Sequence, residues 1–314
     1  MVDSKQQWKA WLYLSPAIIL LLIFTVWPIF NTIRMAFLEG YSGLSVVGGE
    51  SFKFGIGNFV TVIKKQNFLQ SLKVTTLLCV LTVPISTLLA LLVAVCLNSI
   101  KPLNRLLQTI FFLPYVTNSI AIGMVFTAMF NIVGTGLGTP RIIIDSPGII
   151  NYIFSFFGVK PINWINAGSK EVANMAVMVF YIVWNALPFK ILILLGGLQS
   201  VNKQYYDAAK VDGTSRSRVF WRITVPLLSP MIAYVVITGF IGGFKEYTSI
   251  VGIFGSKMGP ANDQGRLNTM VGFVYDSLEQ NSQGLASAAA LILFVIILFV
   301  TLINLYVSKK RVHY

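Results

Sequence analysis

Five stretches of this chain run without a single Asp, Glu, Lys or Arg: residues 10–33, 74–100, 106–140, 223–244 and 280–308. Each is long enough to cross a bilayer core as a helix of about 20 residues. A sixth, 172–189, continues past Lys190 to 202. Helices are therefore expected at about 11–33, 72–97, 106–131, 174–198, 228–254 and 287–307. In lipid every backbone polar group needs an internal partner, which leaves helices or a closed barrel, and runs of this length select helices. With 55% hydrophobic and 11% charged residues, the expected fold class is an all-α polytopic membrane protein. No low-complexity tract divides the 314 residues, so they read as one transmembrane domain.

The first apolar stretch is too long for a secretory signal, and no small-x-small cleavage pattern follows FTVWPIFNTIRMAF, so it is read as a retained helix. Charge orients the bundle. The N-terminal segment 1–10, loops 98–105 and 199–227, and the tail 308–314 hold twelve lysines and arginines in 54 residues, against nine in 112 residues for loops 34–71, 132–173 and 255–286. The positive-inside rule then puts both termini and loop 199–227 in the cytoplasm. The net charge of +13 follows mostly from this asymmetry and does not call for a nucleic-acid partner.

Much chemistry is excluded. There is one histidine, His313, and the two cysteines, Cys79 and Cys96, share one predicted helix about 25 Å apart at 1.5 Å per residue, too far to pair. That leaves no zinc constellation and no histidine-based triad. No G-x-x-x-x-G-K-[ST] loop occurs, so any dependence on ATP and Mg must reside in another protein, and no cofactor is expected in this chain. An intramembrane enzyme would need several carboxylates or a nucleophile with a base at membrane depth, where only Glu246 stands. A secondary transporter or channel is the other alternative, though six spans without a second inverted half give it little support.

Polar residues within the apolar stretches are the candidates for function. Prolines at 16, 28, 84, 114 and 188 punctuate the predicted helices, and breaks of this kind are tolerated where neighbours or a cavity satisfy the freed carbonyls. Tyr115, Thr117, Asn118 and Ser119 follow Pro114, while Trp184 and Asn185 precede Pro188. Lys245 and Glu246 interrupt the fifth span, either as functional groups or as a pair reaching toward the outer interface. Glycines 239, 242 and 243 suit close helix contacts. Lys190, nearer the cytoplasmic end of its span, is expected to snorkel. In the outer loop 132–173, GTGLGTPRIIIDSPG favours turns, and IINYIFSFFG is either a short surface helix or a plain connector.

The loop YDAAKVDGTSRSRVFWRITVPLLSP, residues 206–230, carries the most specific pattern. Residues 203–211 suit a short helix with 205, 208, 209 and 212 on one face, where Ala208 and Ala209 admit the close approach of another backbone. Gly213 supplies a left-handed turn to end it, and SRSRVFWRI suits a second short helix returning to the membrane. A loop that only fixes topology explains the arginines but not this spacing.

Asp207-Ala208-Ala209, then Asp212-Gly213, then Ile223-Thr224-Val225-Pro226 resemble the EAA loop of permease subunits in binding-protein-dependent ABC importers, with Asp207 standing where that loop usually has Glu. YLSPAIILLLIFTVWPIFNTIRMAF, the MGP at 258–260 and FVYDSLEQNSQGLASAAALILF extend the likeness to sugar permeases of the maltose-permease-F and glycerol-phosphate-permease-A kind. The resemblance implies the type I ABC importer permease fold and residence in the bacterial cytoplasmic membrane. It also implies a second homologous permease, two ATPase subunits that bind ATP and Mg, an extracytoplasmic solute-binding protein and a carbohydrate substrate. Asp207, Ala208, Ala209, Asp212, Gly213 and Pro226 would couple to the ATPase. Leu113-Pro114-Tyr115 and VWNALPF match substrate-binding stretches of the family and nominate Tyr115, Ser119, Asn185, Ala186 and Phe189. FKEY falls where a family member has F-N-N-F, which nominates Lys245 and Glu246 in place of two amides. A neutral oligosaccharide is the favoured solute.

Overall fold

The computed structural model describes residues 7–48, 51–100, 104–135 and 143–311. Residues 136–142 of the turn-rich stretch, and the ends that carry Lys5 and His313, lie outside the described residues. The helices are α1 (Gln7–Leu21), α2 (Trp27–Phe37), α3 (Gly43–Val47), α4 (Gly57–Lys64), α5 (Gln66–Ser99), α6 (Asn104–Val116), α7 (Ser119–Phe130) and α8 (Gly148–Ser155). They continue with α9 (Glu171–Ser200), α10 (Lys203–Val211), α11 (Arg216–Val219), α12 (Val225–Leu227), α13 (Ser229–Phe244), α14 (Thr248–Phe254), α15 (Met270–Glu279) and α16 (Gln283–Arg311). A short antiparallel ladder joins β1 (Val133–Thr135) to β2 (Ile143–Ser146).

Among the described residues four helices are long and apolar enough to cross a membrane: Trp8–Phe37, Gln66–Ser99, Glu171–Ser200 and Gln283–Lys309. Two bent pairs bring the number to six, Leu106–Val116 with Ser119–Phe130 at 97° and Arg216–Leu227 with Ser229–Phe244 at 68°. The helices expected over 106–131 and 228–254 are each broken, the first at residues 117–118 and the second at 245–247 between α13 and α14. At the first break Asn118 turns extended, and its Oδ1 accepts from the N–H groups of Ile120 at 2.8 Å and Ala121 at 3.4 Å, capping α7. The polar residues after Pro114 therefore include a helix start. After α13, Glu246 does the same for α14, its Oε1 accepting from Tyr247 N and Ser249 N, each at 3.1 Å.

The contacts gather into two compact units. One holds the residues up to 69 together with Phe273–Phe294. Within it Asn58 is buried, donates through Nδ2 to the carbonyls of Ala36 at 3.1 Å and Leu38 at 2.7 Å, and accepts from Gly40 N at 3.3 Å. Gln283 accepts from Gly43 N at 2.7 Å, and Phe68 meets Phe273 edge-on at 5.3 Å between centroids. The span Trp8–Phe37 buries nothing in its most apolar window, with a π-helical stretch at Leu22–Val26. A helical stretch apolar all round and left unburied is stable only in an apolar surrounding.

The other unit comprises Gln70–Gly272 and the chain from Val295 onward. One core cluster centres on Met178, Tyr181 and Ile250, and a second on Ala90, Leu194, Leu228 and Val235. Small residues set its helix crossings, since lipid supplies no hydrophobic drive and close backbone approach must supply the contact energy. A Cβ on Gly243 would lie 2.8 Å from Cys79 Sγ, and one on Gly239 3.1 Å from Val83, so α13 lies tightly on α5. Gly123 of α7 faces Gly252 of α14, where an added Cβ would come within 2.6 Å of the opposing Cα, and Thr127 Oγ1 donates to Ile253 O at 3.0 Å.

Because backbone rather than side chain would meet the new atoms, Gly123→Leu is expected to cost about 1–3 kcal/mol. A fall of several degrees in the melting temperature of the detergent-solubilised chain would register it. An unchanged melting temperature would show that α7 and α14 part freely.

Candidate functional site

Helices α5, α6, α9 and α13 converge on a cavity of about 320 Å³. Five of the nominated substrate residues line it: Tyr115, Asn185, Ala186, Phe189 and Glu246. Tyr115 of α6 and Phe189 of α9 stack, with ring centroids 5.8 Å apart and planes inclined by 19°. Asn185, Thr82, Ser86, Thr238 and Ser249 add hydrogen-bonding groups, and Gly239, Gly242 and Gly243 leave room where α13 passes. Aromatic faces beside a few convergent polar groups suit a small polar ligand.

Two nominated residues fall elsewhere. Lys245 is exposed, ends α13 through its N–H to Gly242 O, and is absent from the cavity wall. Ser119 also lies off the wall, and its carbonyl accepts from the Tyr181 hydroxyl at 2.6 Å. α13 ends at Phe244, and in the break before α14 neighbouring Lys245 and Glu246 diverge. Glu246 is half-buried with its carboxylate tied to the start of α14.

Lys190 overturns its expectation. In place of snorkelling, its side chain is 5% exposed and turns across to α5, donating to Ser86 Oγ at 2.7 Å, Thr87 Oγ1 at 2.9 Å and Val83 O at 3.3 Å. Three acceptors on the adjoining helix stand within 3.3 Å of the ammonium, so the stem need not extend to the interface. The signal was present in TVPIST, where Thr82, Ser86 and Thr87 stand at i, i+4 and i+5 on an otherwise apolar helix. Ala186 and Lys190 are likewise i, i+4 partners on α9.

The residues read as a coupling element form a compact corner. Asn202 caps α10, accepting from Gln204 N at 3.0 Å. At the other end Gly213 takes φ +62°, Thr214 N donates to Ala209 O at 2.9 Å, and Gly213 N to Lys210 O at 3.2 Å, which is a Schellman ending. Ala209 is buried, whereas Asp207, Ala208 and Asp212 are exposed. From Arg216 the chain runs through α11, a π-helical turn at Phe220–Thr224 and α12, which contains Pro226. Tyr206 OH and Thr224 Oγ1, 3.4 Å apart, link the two arms.

With this geometry in place, comparison with known proteins is informative. Residues 82–313 match the family described as binding-protein-dependent transport system inner membrane component. The arabinooligosaccharides transport system permease protein AraP of Bacillus subtilis is 29% identical over 95% of this chain and 88% of its own length. The sn-glycerol-3-phosphate transport system permease protein UgpA of Agrobacterium fabrum is 30% identical over 97% of this chain and 96% of its own. A chain from the crystal structure of a bacterial ABC transporter involved in the import of the acidic polysaccharide alginate shares the fold, with a TM-score of 0.78 at 21% identity over 98% of this chain and 96% of that one. The chain belongs to the family of inner membrane components of binding-protein-dependent transport systems.

Proposed function

We propose that this chain is the transmembrane permease subunit of an ATP-driven importer that passes a carbohydrate, delivered by an extracytoplasmic binding protein, into the cytoplasm. ATP is hydrolysed by two separate ATPase subunits, and a second, homologous permease completes the pathway. Relatives named for arabinooligosaccharide and glycerol-phosphate transport, similar over nearly the whole chain, support the solute class. The observation that carries the reading is the gathering of Tyr115, Asn185, Ala186, Phe189 and Glu246 from separate helices onto one cavity.

In this mechanism the Tyr115–Phe189 stack offers an apolar face to a sugar ring, while Asn185 and Thr238 exchange hydrogen bonds with its hydroxyls. Such contacts hold the solute long enough to be carried but leave it free to depart. Coupling falls to α10 and the arm after it, on the cytoplasmic side with both termini. The exposed Asp207, Ala208 and Asp212 form the surface that meets the ATPase, and Ala209, Gly213 and Pro226 keep that surface in place.

Three measurements test this. Solute uptake should require the binding protein and stop with vanadate; uptake abolished by an ionophore and indifferent to ATPase mutation would instead identify a secondary transporter. Gly213→Pro cannot keep φ +62° and loses the bond to Lys210 O, so uptake should fall roughly tenfold or more while solute capture by the binding protein is unchanged. Normal uptake by that variant would remove the corner from the coupling path. Asn185→Ala should lower uptake by roughly tenfold with ATP hydrolysis by the assembly retained, a loss equal to about one hydrogen bond to the solute; an unaltered rate would place the solute elsewhere.

A further inference from the structure

We propose that the cavity contains a subsite for an anionic group on the transported solute, a sugar carboxylate or phosphate, and that Lys190 determines it. This rests on the importer reading and names the solute more narrowly. The hydrogen bonds around Lys190 are fully used yet electrically one-sided. Its three donors go to Ser86 Oγ, Thr87 Oγ1 and Val83 O, all uncharged. The two hydroxyls pass their own protons on, Ser86 to Thr82 O at 2.5 Å and Thr87 to Val83 O at 2.7 Å, which leaves both oxygens facing the ammonium as acceptors. Among the described residues no carboxylate forms an ion pair with it.

Position makes that excess charge available. Lys190, Thr82 and Ser86 line the cavity, so the ammonium stands in its wall. Gly239, also on the wall, packs closely beside it, and a Cβ there would lie 3.2 Å from Nζ. Glu246, the other titratable residue of the wall, has its Oε1 committed to two backbone N–H groups at the start of α14. Lys245, which would have added a competing cation, lies off the wall. A positive charge withdrawn from water is costly until a counter-charge arrives, so a solute that brings one gains what a neutral sugar cannot.

The test is ligand-induced stabilisation of the full-length chain in detergent at matched ionic strength, with digalacturonate, glucose 6-phosphate and neutral digalactose as probes. For the wild type at least one anionic probe should bind roughly tenfold more tightly than digalactose, and the carboxylate and phosphate arms show which anion is preferred. Lys190→Met should abolish that preference and Lys190→Arg should keep it. Equal affinity of the wild type for anionic and neutral probes overturns the subsite whether or not either variant folds, as does a preference that survives in Lys190→Met. Digalactose binding without anion preference leaves the importer reading standing, whereas uptake that proceeds without ATP hydrolysis overturns the importer reading itself.

Discussion

A helix that stops inside a membrane exposes N–H groups with no water to receive them, and the cost of several kcal/mol per orphaned group allows an interruption only where a side chain takes over. Asn118 and Glu246 perform this service for α7 and α14. The site depends on these two acceptors. With α6 turning through 97° before α7, Tyr115 stands at the cavity instead of continuing along a straight span. Glu246 serves twice, as a helix cap and as part of the wall.

The second requirement is proximity. Glycines at 239 and 243 let α13 lie against Val83 and Cys79 of α5, and Lys190 ties α9 to the same segment of α5. Two helices, α9 and α13, are thereby registered against a few turns of α5 around Pro84. The same close approach explains how a 320 Å³ space can be bounded by side chains as small as threonine and serine.

What was legible in the sequence follows from which forces act locally. Charge-free length revealed the spans because the bilayer reads hydropathy residue by residue, and the Asp212-Gly213 step foretold the end of α10 because a left-handed turn is a property of the glycine itself. Tyr115, Asn185, Ala186 and Phe189 could be nominated from motif and lie on the cavity. Lys190 was misplaced because its fate depends on α5, about a hundred residues away in sequence, whose hydroxyls outcompete the interface. Lys245 and Glu246 look alike as a charged pair, yet the helix boundary between α13 and α14 separates their environments, and periodicity alone does not foresee such a boundary. The two breaks escaped for the same reason: an asparagine or glutamate in an apolar run reads as a polar insertion until its backbone partners are seen.

The Schellman ending at Gly213 has a mechanical consequence. With Thr214 bonded back to Ala209, and Tyr206 set against Thr224, the two arms of the loop are braced like the sides of a bracket. If the ATPase pushes on the exposed face of Asp207 and Ala208, as the proposed coupling requires, these bonds oppose bending within the corner. In the importer we propose, the push would pass as leverage along the arm through Pro226 toward α13, the helix whose glycines form one side of the cavity.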